Sequence, residues 1–153
     1  MYFIFVALFL FVLPAISVLV ETLLRGGSPD LMLLVGKWFV FWGVGVRLFI
    51  AGIRQVAQPR FTAESIFQVK DRGALAIVRE VGFANLAMGA LGLLTLAKPS
   101  FLVAAAIVGG LYYGLAGTGH AVRGDKNASE WTALVTGLFM FFLLATFLGA
   151  RGF

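Results

Sequence analysis

Apolar residues run almost unbroken for about twenty positions at a time, five times along the chain, and each run stops at a cluster of turn-forming or charged residues. The runs cover roughly residues 2–24, 32–53, 74–97, 101–122 and 131–150. An α-helix rises 1.5 Å per residue, so each run is long enough to cross the hydrocarbon core of a bilayer. The breaks read Arg25-Gly26-Gly27-Ser28-Pro29-Asp30, Gln58-Pro59-Arg60, Lys98-Pro99-Ser100 and Arg123-Gly124-Asp125-Lys126-Asn127, all with the glycine, proline or asparagine that ends a helix. The pattern predicts an all-α, polytopic integral membrane helical bundle of five transmembrane helices, one membrane domain over residues 1–153. The third break is so short that spans three and four are expected to form an antiparallel hairpin of neighbours.

Two segments need separate argument. The first run lacks the basic n-region of a signal peptide, and it stays apolar past Val20, so it is read as a retained span in which Pro14 introduces a kink. The stretch 58–73 interleaves Phe61, Ile66, Phe67 and Val69 with Glu64, Gln68, Lys70 and Asp71. It reads either as a short helix lying on the headgroups, opened by Thr62, or as a lid over a cavity at that end of the bundle.

Composition strengthens the membrane reading. Of the 153 residues 61% are hydrophobic and 12% charged, and the mean hydropathy is +0.99, whereas a soluble domain carries about 25% charged residues. With no cysteine and one histidine, disulfides, thiolate catalysis, iron–sulfur clusters and cysteine-bound zinc are excluded, and no cofactor or metal is expected. The net charge of +5 has no basic run or soluble fold to present it to nucleic acid. Cations instead flank the spans. Arg54, Arg60, Lys70, Arg72, Arg123 and Lys126 fall on one side, against Arg25, Lys98 and Arg151 on the other. The positive-inside rule then gives a cytoplasmic N-terminus and an outside C-terminus in a cell inner (plasma) membrane.

Charged and polar groups at membrane depth are costly, so each is a functional candidate. Arg47 and Glu80 both lie about 9 Å from the same face by helix rise, a depth at which they are expected to pair. Arg47 shares a helical stripe with Gly36, Gly43 and Arg54, and Asn85 shares one with Gly82, Gly89 and Gly92, so both should face other helices. Gly110-x-x-x-Gly114 marks a close-packing face of span four, and Tyr113 and His120 occupy another. Arg47, Arg79, Glu80, Asn85, Tyr113 and His120 are therefore expected to converge in the cytoplasmic leaflet. The cluster reads either as a structural network or as a proton site or quinone-head-group site. On the opposite side Glu21 and Lys37 are expected to form a structural ion pair. Trp38, Trp42 and Trp131 read as interfacial anchors, and no hydrolase, metalloprotease or phosphate-loop motif is present.

The Arg47-bearing glycine-rich span, the basic loop and the segment Arg79-Glu80-Val81-Gly82-Phe83-Ala84-Asn85-Leu86-Ala87-Met88-Gly89 resemble the DoxX-like group of small prokaryotic membrane proteins over about four-fifths of the chain. The segments Trp38–Trp42, Gly82–Leu86 and Tyr113–His120 are more closely similar to a prokaryotic family known only as of unknown function. The DoxX-like resemblance implies a compact bundle, in some cases associated with quinone-linked redox complexes. Two functions follow as expectations. The favoured one, because glycine faces are plentiful and a catalytic set is missing, is a non-catalytic partner-binding protein or accessory subunit of a membrane complex, its partner a second copy of the chain in a homo-oligomer or another membrane protein. The other is a binder or redox handler of a small lipophile such as a quinone. The sequence leaves open whether any enzyme chemistry occurs.

Overall fold

In the computed structural model, which describes residues 2–153, the chain forms five long helices. They are α1 (Tyr2–Arg25), α2 (Leu31–Ala57), α4 (Arg72–Leu94), α5 (Pro99–Val122) and α6 (Ala128–Gly149), with a short helix α3 over residues 59–66. All five are long and apolar enough to cross a membrane, which makes the chain a multi-pass membrane protein by composition. Consistent with lipid contact, side chains such as Ile4, Leu23, Leu115, Val122 and Phe142 stay exposed around the bundle. Asp30, Asp71 and Asn127 begin α2, α4 and α6, each accepting a backbone N–H of the first turn through its side chain.

The core is assembled from Val6 and Leu10 of α1, Val40, Val44 and Leu48 of α2, Ala105, Ala106 and Tyr113 of α5, and Met140, Leu144 and Phe147 of α6. Glycines set the closest approaches. A Cβ on Gly92 would lie 2.5 Å from the Gly45 nitrogen, and one on Gly89 2.5 Å from the Phe49 nitrogen, so α2 and α4 meet backbone to backbone. Gly109, Gly114 and Gly117 of α5 receive Val44, Phe141 and Leu138. As a result α4 packs mainly on α2, and α5 mainly on α6. The expected hairpin of α4 and α5 is connected by a tight turn, but its two helices touch less than either touches its glycine-matched neighbour.

Helix α2 is not a uniform α-helix. Over Val40–Val46 its hydrogen bonds widen to the π spacing, and the Arg47 N–H reaches the Trp42 carbonyl, five residues back. The Gly43 carbonyl therefore lacks the Arg47 amide that α-helical spacing would supply, and the Tyr113 hydroxyl donates to it instead.

Candidate polar cavity

The N-terminus of α1, the C-termini of α2 and α5 and the N-termini of α4 and α6 share one end of the bundle. There the helices line a partly open cavity of about 190 Å³. Its walls are apolar (Phe5, Val6, Leu48, Ala51, Val81, Ala116), and its polar groups are Tyr2, Arg47, Gln55, Asn85, Tyr112, Tyr113 and His120, with Arg54 also in the lining. Segment α3 roofs this space. Pro59, Thr62 and Ala63 are buried against the bundle, and Phe61, Thr62, Ile66 and Phe67 line the cavity. Segment 58–73 thus packs over the cavity through these side chains.

Arg47 enters from α2 directly after the wide turn. Its Nη1 donates to the Tyr113 hydroxyl at 2.7 Å, and the guanidinium carbon stands 5.3 Å from the Tyr113 ring centre. Asn85, on the glycine face of α4, donates through Nδ2 to Gln55 Oε1 at 2.7 Å. Its own Oδ1 is buried without a hydrogen-bond partner. Arg54 lies over the Phe61 ring at 3.6 Å, joining α2 to the roof through a cation–π contact.

His120 closes the cavity toward the connection 123–127. Its ring stacks on Phe67, with centroids 6.0 Å apart and planes 11° apart, and its Nδ1 lies 3.4 Å from Glu130 Oε1. Glu130 is fully buried. Arg123 Nη1 is 3.1 Å from its Oε1, and Gln68 Nε2 donates to Oε2 at 3.3 Å. Arg123 also donates to the Phe67 carbonyl at 2.8 Å, so one buried carboxylate ties α5, α6 and the end of the roof together. Gln68 completes this tie in a left-handed conformation, φ 57°, which is unfavourable for a residue with a Cβ.

Four of the six residues expected to converge, Arg47, Asn85, Tyr113 and His120, line this cavity. Arg79 and Glu80 do not. Both are exposed on α4, and the expected Arg47–Glu80 ion pair does not form. The two share a depth but not a direction: two residues along a helix is about 200° of rotation, so Glu80 points away from the face that carries Val78, Gly82 and Asn85 into the bundle. The carboxylate that meets His120 is Glu130, which sequence reasoning placed just outside the fifth span. Tyr2, Gln55 and Tyr112 join the lining as uncharged groups that hydropathy and charge do not mark in the sequence.

At the opposite end Lys37 Nζ lies 2.8 Å from Glu21 Oε2, in the pairing expected for these two residues. Arg25 also bonds to Glu21, and Trp38 Nε1 donates to it at 2.6 Å. Trp42 Nε1 donates to Ser17 at 2.9 Å. Trp131 is exposed beside Lys126, as suits an anchor at a membrane boundary.

No curated protein and no solved structure matches this chain, and nothing in the comparisons ties it to the DoxX-like group. Residues 4–150 match the model of a family described only as a family of unknown function, DUF6790. The match takes in α1 from Ile4 onward, the other four long helices whole and every residue of the cavity except Tyr2, and the chain belongs to that family.

Proposed function

We propose that the chain is a membrane-embedded binding protein for a small lipophile, held in the cavity beneath α3. The observation that carries this reading is the cavity's own make-up: apolar walls with a few convergent polar groups, one of them the buried and unpartnered Asn85 Oδ1. That combination is the usual signature of a small-molecule site. We prefer this reading to an accessory subunit joined to a partner through glycine faces for one reason. The glycines of α2, α4 and α5 that would have offered such faces, Gly45, Gly52, Gly82, Gly89, Gly92, Gly109, Gly114 and Gly117, are already filled by neighbours within the chain.

Mass spectrometry of lipophiles extracted from the purified protein tests the reading without a prior guess of ligand. A species enriched with the native chain and lost from Ala116→Phe, which fills the cavity, is the expected result. An identical extract from both would overturn it.

The basic end, with Arg54, Arg60, Lys70, Arg72, Arg123 and Lys126, supports an orientation in a prokaryotic plasma membrane with this end and the N-terminus in the cytoplasm. The chain has no cysteine of its own, so Asp125→Cys gives a single labelling site. Reaction with an impermeant thiol reagent only from outside would reverse the assignment.

A further inference from the structure

We infer that the ligand's head group is an anion, a carboxylate on an apolar tail, and that Arg47 recognises it. The inference rests on the lipophile reading above and narrows it. Its ground is the distribution of charge. Lys37 and Arg25 share Glu21, Arg123 has Glu130, and Arg151 has Asp30. Arg47 has no such partner: among the described residues no carboxylate comes within ion-pair distance of it, and the lining contains two arginines and no aspartate or glutamate.

Arg47 donates to the Tyr113 hydroxyl, a neutral group whose own proton is committed to the Gly43 carbonyl. Tyr113 therefore orients the guanidinium without neutralising it. Tyr2 and Tyr112, which also face the guanidinium, are neutral phenols as well, and the planar fork of Arg47 is suited to the two oxygens of a carboxylate. A cation in an apolar bundle is costly without a counter-charge. A bound anion removes that cost, which neither a neutral quinone nor a cationic amphiphile does.

Size points to a single chain. About 190 Å³ is below the roughly 300–1,000 Å³ of sites that enclose drug-sized molecules. It accommodates a carboxylate with its first carbons and not a two-chain lipid.

The test uses the full chain in phosphatidylcholine nanodiscs at pH 7.5 and two photoreactive probes with the same diazirine-bearing ten-carbon tail, one ending in a carboxylate and one in an alcohol. Cross-links are mapped to the cavity residues Val6, Phe67 and Ala133. In the native chain the carboxylate probe should label these positions about tenfold more than the alcohol, the margin of one charge-assisted hydrogen bond. Arg47→Met should bring the carboxylate down to the alcohol's level, and Arg47→Lys should retain part of the preference. Equal labelling by both probes in the native chain, or an undiminished preference in Arg47→Met, overturns the anionic head while leaving a lipophile site. Cavity labelling by neither probe overturns the anionic inference and the lipophile site together. Should Arg47→Met fail to accumulate, the comparison of probes in the native chain and in Arg47→Lys still decides.

Discussion

Arg47 of α2 and Tyr113 of α5 are joined by a 2.7 Å hydrogen bond, and the same tyrosine hydroxyl donates back to the Gly43 carbonyl of α2. One oxygen thus serves a side chain and a backbone group of a single neighbouring helix. Tyr113→Phe would leave both without that partner in a buried setting. The expected loss is about 1–3 kcal/mol, the range for a buried polar group left unsatisfied, measured by equilibrium unfolding in mixed detergent. A loss within error of zero would show that water replaces the hydroxyl.

The Glu130 cluster should respond asymmetrically to mutation. Arg123 is partly exposed and Glu130 is fully buried. Removing the carboxylate with Glu130→Gln frees an arginine that can turn to water. Removing the arginine with Arg123→Gln strands a buried negative charge, for which losses of about 3–5 kcal/mol are typical. Arg123→Gln should therefore be the more damaging change in the same assay. The reverse order would mean that the carboxylate is held mainly by His120 and Gln68.

Glu80→Gln is the matching control. Its side chain is exposed on α4, and substitutions of that kind usually stay within about 0.5 kcal/mol. A much larger loss would place Glu80 in a contact that the fold does not provide.

Gly92 and Gly119 should separate cleanly when each is changed to alanine. A Cβ at Gly92 would stand 2.5 and 2.6 Å from the Gly45 nitrogen and Cα, forcing α2 and α4 apart, whereas one at Gly119 meets nothing within 4 Å. Overpacking of this type costs about 1–3 kcal/mol. Gly119→Ala, in the body of a helix, should be neutral or stabilising. Equal thermal stability of the two variants would refute the backbone contact.

Asp30, in the connection before α2, gives a pH dependence of known sign. The Leu33 backbone N–H that it accepts, followed by the charge of Arg151, lowers its carboxyl below the ordinary aspartate value of 3.8. A carboxyl lowered in the folded state contributes stability that is fully present above 3.8 and is lost as pH falls through the depressed value. Asp30→Asn keeps the helix cap and abolishes the titration. The stability difference between the native chain and this variant should be flat above pH 4 and shrink below it. A difference that grows on acidification would contradict the assignment.

The spans were legible because hydropathy alone defines them, and the structure moves their ends by only a few residues. Those few residues mattered most at α6. Asn127 caps this helix, and Glu130 stands three positions on, inside its first turn. That Asn-x-x-Glu spacing was available in the sequence, but opening the span at 131 left out the one carboxylate that meets His120. Glu80 shows the complementary error. Depth follows from counting residues inward from a boundary, but pairing also needs direction, and the stripe of Gly82, Asn85 and Gly89 already pointed away from Glu80. The roof and the wide turn in α2 were less accessible, since both depend on how distant segments pack.

The wide turn over Val40–Val46 acts as a phase shift written into a continuous helix. Ahead of it, α2 is registered to α1 and α6, with Lys37 and Trp38 on Glu21 and Gly36 under Phe147. From its last residues onward, the same helix is registered to α4 through Gly45, Phe49 and Gly52. A uniform helix advances 100° per residue and would have to abandon one of these alignments. Loss of a single residue from this stretch, which would restore even winding, should therefore uncouple the two halves of the protein: the Glu21 cluster and the Arg47 cavity could no longer be satisfied by one rigid rod.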